Sequence, residues 1–118
     1  MIKKTIKYTD FDGNEREEDF YFNFTEAELA EMELSEKGGL KQKLEEIVRA
    51  QDQPEIIRHF KELILKAYGK KSPDGRQFVK SPEISKEFSY TQAYSKLFME
   101  LATNADAASA FVNGVVGN

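Results

Sequence analysis

Side chains capable of covalent or acid-base chemistry are few in this chain, and their spacing suits none of it. There is one histidine, His59, and no cysteine. A cysteine nucleophile is therefore excluded, and only one imidazole is left for any triad or zinc site. His59 lies beside Phe60 in an apolar helical stretch, at a spacing that puts it at the edge of the core stripe or on the solvent face. Asp10-Phe11-Asp12-Gly13-Asn14-Glu15 is rich in oxygen ligands, but an EF-hand loop needs D-x-[DN]-x-[DN]-G, with glycine sixth and glutamate twelfth. Here glycine follows the second aspartate directly, and a hairpin turn explains every residue. Lys37-Gly38-Gly39-Leu40-Lys41 lacks the G-x-x-x-x-G-K-[ST] spacing of a phosphate loop. Glu15, Glu17, Glu18 and Asp19 read better as a solvated strand edge that discourages pairing than as a general acid and base. No residue is assigned a catalytic, cofactor-binding or metal-binding role, and the chain is not expected to be an enzyme.

The elements must therefore position something other than a reaction centre. At 118 residues, 40% hydrophobic and 32% charged, the chain has the composition of one soluble globular domain, 1–118, with a modest core. Its net charge of -4 argues against a nucleic-acid backbone as partner, although Lys66, Lys70, Lys71, Arg76 and Lys80 cluster locally. The N-terminus alternates polar and apolar residues, unlike a signal peptide. No stretch approaches the roughly 20 apolar residues of a membrane span, so a cytosolic location is expected.

Residues 2–24 read as a β-hairpin. Ile2, Ile6 and Tyr8 share one face of the first strand; Phe20, Phe22 and Phe24 share one face of the second, both at period two. A two-residue Asp12-Gly13 loop would set Tyr8 against Glu17. A three-residue loop, Asp12 to Asn14, sets Ile6 against Phe20, Ile2 against Phe24 and Lys7 against Asp19, and is preferred. Because a lone hairpin is marginal in water, its Phe face must pack on helices, with Phe60 and Leu63 expected opposite.

Helices follow at once. Thr25-Glu26-Ala27-Glu28 is a capping box, ahead of a short stripe of Leu29, Met32 and Leu34 that Gly38-Gly39 ends. A second helix, about 40–51, carries Leu40, Leu44, Ile47 and Val48. Asp52-Gln53-Pro54 opens a third, about 54–68, with Ile56, Ile57, Phe60, Leu63, Ile64, Ala67 and Tyr68 apolar and Gly69 as its C′ residue. Ser72-Pro73-Asp74-Gly75 suits a type I turn, with a short strand at 76–80 pairing Lys70-Lys71. Ser81-Pro82 restarts helix. Tyr90, Ala93, Tyr94, Leu97, Phe98 and Leu101 point inward from a helix at about 90–103, and Asp106 caps a last helix stopped by Gly114. The architecture expected is α+β and mostly helical: an N-terminal β-hairpin (1–24) packed on about five short helices (25–118), with a turn or short strand near 70–80.

From Ala105 to Val116 the chain has a single charge, Asp106. Such a small-sided apolar helix either docks on its own core or offers a contact to another subunit, and Phe111, Val112, Val115 and Val116 are the candidate partner-binding residues.

Asp19-Phe20-Tyr21-Phe22-Asn23, FKELILKAY (60–68), KSPDGRQF (71–78) and LFMELATNA (97–105) together resemble the tail assembly chaperones of siphophages and prophages of Gram-positive bacteria. The likeness spans nearly the whole chain, and its specificity rests on the order of segments that are not catalytic motifs. It implies a cytoplasmic, non-virion protein that self-associates into a homo-oligomer and keeps the tape measure protein soluble during tail assembly. It also implies no cofactor, nucleic acid or membrane, and a longer product made by frameshifting, of which a chain ending at Asn118 would be the short form. The alternative is a small phage regulator or host-defence inhibitor acting by protein-protein binding.

Overall fold

A computed structural model describes residues 1–35 and 39–116. The order is β1 (Ile2–Thr9), β2 (Glu15–Phe22), α1 (Glu26–Ser35), α2 (Leu40–Ala50), α3 (Gln53–Ala67), β3 (Tyr68–Lys71), β4 (Phe78–Val79), α4 (Pro82–Ser89), α5 (Gln92–Thr103) and α6 (Ala105–Val116). The fold is α+β and mostly helical. Its strands form one antiparallel sheet in the order β1-β2-β3-β4, so the hairpin is extended by a second pair of strands.

The hairpin register differs from expectation by two residues. Ile2 faces Phe22, Ile6 faces Glu18 and Lys7 faces Glu17. The cause is Asp10. Its Oδ1 accepts from the Asp12 and Asn14 N–H groups at 3.0 and 2.9 Å, and its carbonyl accepts from Gly13 N–H at 3.0 Å. The three-residue loop is therefore Phe11 to Gly13, one residue earlier than expected, with Gly13 at φ 85° in the bulge position that needs it. Face assignments survive because a shift of two preserves parity. Asp19 moves opposite Thr5, whose hydroxyl donates to it at 2.6 Å.

Helix boundaries follow the caps. Thr25 and Glu28 form the reciprocal capping box, Thr25 N–H to Glu28 Oε1 at 2.9 Å and Glu28 N–H to Thr25 Oγ1 at 3.2 Å. Asp52, Ser81 and Thr91 cap α3, α4 and α5. Gly38 and the side chains of Leu34 and Leu40 lie outside the described residues.

Four expectations about these elements change. Tyr90 terminates α4 instead of starting α5 and is exposed, because Thr91 caps α5 and takes Tyr90 out of its stripe. Ile57 is exposed on α3 while Ile56 and Phe60 are buried. Asn104, not Asp106, accepts the first-turn Ala107 N–H, at 3.0 Å. α6 also runs through Gly114 to Val116. A Cβ at Gly114 would stand 2.2 Å from Ile2 Cδ1, so that glycine serves close approach of α6 to β1, not termination. Gly69 follows the Tyr68 cap of α3 as its C′ residue, as expected, and also sits in β3 opposite Tyr21, where a Cβ would meet the Phe78 ring at 2.7 Å and the Val79 carbonyl at 2.9 Å.

The core joins both halves. Phe22 and Phe24 are buried, while Phe20 is half-buried. The rings that meet Phe22 come from Tyr68, Phe88 and Phe111, with centroids at 5.7, 5.8 and 5.4 Å. Phe60 and Leu63, expected opposite the Phe face, are buried in the same cluster, but β3, α4 and α6 supply the rings against Phe22. Replacing Phe22 by alanine should lower unfolding free energy by about 3–5 kcal/mol, whereas half-buried Phe20→Ala should cost clearly less. Urea denaturation of both variants checks the order, and equal losses would contradict it.

Candidate functional site

Each sequence candidate has a definite place. His59 is half-buried at the edge of α3, its Nε2 3.0 Å from Glu55 Oε2; Arg58 holds the same carboxylate at 2.7 Å. The Arg58 hydrogen bond leads in pulling the Glu55 carboxyl below its ordinary range, against partial desolvation. Asp10 is spent on the turn and on Arg16 Nε at 2.6 Å, the latter being the main reason its carboxyl is depressed. Among the described residues, no three His, Asp or Glu side chains converge as a metal site would need.

Phe111, Val112, Val115 and Val116 do not form a surface. All four are buried, packed in the same cluster as Phe22, Leu44 and Val48. The physical reason is that α6 lies between α2 and α5 and against β1, so its apolar side is covered within the chain. Exposed on α6 are Ala105, Asp106, Ala110 and Asn113 instead.

Within the basic cluster, Lys70 and Lys71 lie on β3, and Lys66 and Lys80 line one cavity. Lys80 turns inward, donating to the Asn23 carbonyl at 2.6 Å and to Glu28 Oε2 at 2.8 Å, over the Phe24 ring at 4.6 Å. That contact fastens α1 to the end of β2. Burial acts to raise the Glu28 pKa, but the hydrogen bonds from Lys80 and Thr25 outweigh it and the carboxyl is lowered. Lys71 lies 5.7 Å from the Tyr21 ring centroid.

What sequence reading missed is the far half of the hairpin. Glu18 is on the inner face with Phe20 and Phe22, as its even number indicates, and accepts a hydrogen bond from the Tyr8 hydroxyl. Arg16 Nη1 approaches Glu18 Oε2 at 3.5 Å and joins it to Asp10. A cleft of 420 Å³ opens beside this network, between the hairpin and Lys96 of α5. A second, of 320 Å³, runs along β1 and α5 between Thr5, Lys7 and Met99. The acidic run is thus split by parity: Glu15, Glu17 and Asp19 are solvated and Glu18 is partly covered. At the tip Phe11 is 76% exposed.

These features define a small α+β protein whose conspicuous groups are a filled core, an open sheet edge and paired surface charges. The profile of the phage tail assembly chaperone family matches residues 1–118, and the chain belongs to that family. Comparison with curated proteins and with solved structures finds no match. Membership points to a non-enzymatic role with protein partners in tail assembly. Among the described residues no helix is long and apolar enough to cross a membrane.

Two outcomes follow from this geometry. Truncation after Asn104 should abolish cooperative unfolding, because it removes Phe111 and Val112 from the core; a truncated chain with an intact thermal transition would show α6 to be an accessory. Tyr8 should titrate late. The hydrogen bond to Glu18, followed by burial, raises its pKa from 10.0 to about 12. A raised folded pKa favours the protonated form, so its contribution to stability is present below pH 10 and is lost as pH rises through about 12. Burial also raises the Tyr68 and Tyr94 pKa values, so absorbance titration should show several late tyrosines, of which Glu18→Gln moves chiefly Tyr8 back toward 10.

Proposed function

We propose that this protein self-associates and binds the tape measure protein, keeping it soluble in the host cytoplasm until the tail tube is built, and that it is absent from the mature virion. The observation that carries the reading is the family match over the full 118 residues. A client that is long and prone to aggregate is held best by many weak contacts, and an oligomer supplies them through effective concentration. Such a role uses neither a reactive residue nor a cofactor.

Because Phe111, Val112, Val115 and Val116 are committed to the core, client contact falls on surfaces that remain open, chiefly the hairpin. Co-expression with the tape measure protein, scored by the soluble fraction, should show rescue, and light scattering should give a mass above the 13.5 kDa monomer. A strict monomer that leaves the client insoluble would overturn the reading and favour a regulator acting on a single protein target.

A further inference from the structure

β1 ends the sheet. The phase of its ladder is set by the turn: Asp10 N–H donates to the Asn14 carbonyl at 2.9 Å, so even-numbered residues of β1 exchange bonds with β2. The backbone N–H and C=O groups of Lys3, Thr5, Lys7 and Thr9 therefore face away from β2. Among the described residues no strand pairs with that edge. The cleft between β1 and α5 runs beside it and shares Lys7 and Lys96 with the cleft at the hairpin tip. Met99, 53% exposed, lines it.

The charge of this edge is one-sided. β1 contains Lys3, Lys4 and Lys7 and no acid, although the chain as a whole carries a net charge of -4. Lys4 is neutralised by Glu100 at 2.9 Å; Lys7 approaches Glu17 at 3.5 Å but its side chain stays 82% exposed, and Lys3 and Lys7 lie on the outer face with Thr5 and Thr9. β2 shows what such a strand pairs with: Glu17 opposite Lys7 and Asp19 opposite Thr5 on the outer face, with Phe20 and Phe22 turned inward.

We propose that the free edge of β1 accepts an extended segment of a partner protein by strand addition, one with acidic residues at alternate positions and apolar residues between them. The backbone groups of Lys3, Thr5 and Lys7 would supply the ladder, their side chains would meet the acids, and the apolar residues would lie toward Met99. A second copy of β1 fits poorly. With no acid in the strand, no self-pairing gives a lysine an opposite charge, and the register centred on Thr5 sets Lys3 against Lys7 twice. Lysines that discourage self-pairing leave the edge open to an acidic strand. This locates the client contact proposed above and rests on that reading only for the client's identity.

The test uses the full chain and a fluorescent, end-blocked eight-residue peptide alternating glutamate and valine, followed by anisotropy at low and high salt. Saturable binding is expected, weakened by salt and by roughly tenfold in Lys3→Glu/Lys7→Glu, where two favourable cross-strand pairs become repulsive. Thr5→Pro removes an outward N–H without removing a backbone bond to β2, although it also loses the Thr5 hydroxyl bond to Asp19, and should also weaken binding. If the proline variant fails to fold by circular dichroism, the double charge variant decides, since both lysines are exposed. No binding by the wild-type chain, or undiminished binding by the folded charge variant, would overturn the proposal. If wild type and charge variant rescue the tape measure protein equally, the edge is wrong as the client site and the chaperone reading stands. If the peptide binds at the edge and the client stays insoluble, the chaperone reading fails and the edge site stands.

Discussion

The ring of Phe22 is the point at which the fold closes. It is fully buried, and the aromatic rings around it belong to β3, α4 and α6. A two-stranded hairpin has too little apolar surface to persist alone, so β1 and β2 depend on this contact. The three helices α1 to α3 form an excursion that brings the chain back to the same place. At the end of α3 the Ala67 carbonyl accepts Asn23 N–H at 2.9 Å, Tyr68 takes its position opposite Phe22, and Tyr68 stacks on Phe88 at 4.2 Å. Residues separated by more than forty positions thus meet at one ring, which also lies in the core that α6 completes.

Two glycines set how closely layers approach that centre. At Gly69 the ring of Phe78 occupies the space where a side chain would be, which draws β4 against β3; at Gly114 the side chain of Ile2 does the same for α6 against β1. Neither carries a positive φ, unlike Gly13 and Gly75 in the turns. In a chain with so few residues per layer, such contacts determine whether the terminal helix and the first strand share a core.

Local chemistry was legible and long-range packing was not. Capping residues at Thr25, Asp52 and Ser81 marked the starts of three helices because the signal and the structure it causes lie within four residues of each other; the Thr91 cap of α5 was not read, and Tyr90 was placed in the helix instead. The Ser72–Gly75 turn and the pairing of Lys70-Lys71 with Phe78-Val79 were legible for the same reason. The hairpin register was read with the right parity and the wrong step, because the Asp10 carboxylate, not the glycine alone, fixes the loop. Gly69 was read correctly as the C′ residue of α3 and Gly114 wrongly as a helix stop; in both cases the sequence shows a glycine but not the distant side chain that needs its missing Cβ. The apolar C-terminal helix was ambiguous because an apolar stripe has the same composition whether its cover is intramolecular or a partner; here α2, α5 and β1 cover it. Glu18, which shares parity with Phe20 and Phe22, was the available signal for the network at the hairpin tip.

The arrangement also bears on how such a protein binds. With α6 turned inward, the large apolar side chains exposed among the described residues, Met1, Phe11, Ile57, Val79, Tyr90 and Met99, lie on different parts of the chain. Recognition by one deep apolar pocket is therefore a poor fit. A sheet edge works differently, because its main contacts are backbone groups that every extended segment carries, while the flanking lysines add a preference for acid without demanding one sequence. That combination suits a chaperone, whose client must be held while it is unfolded and released without specific chemistry. On the proposal made above, the groups that act are main-chain N–H and C=O on the open side of β1.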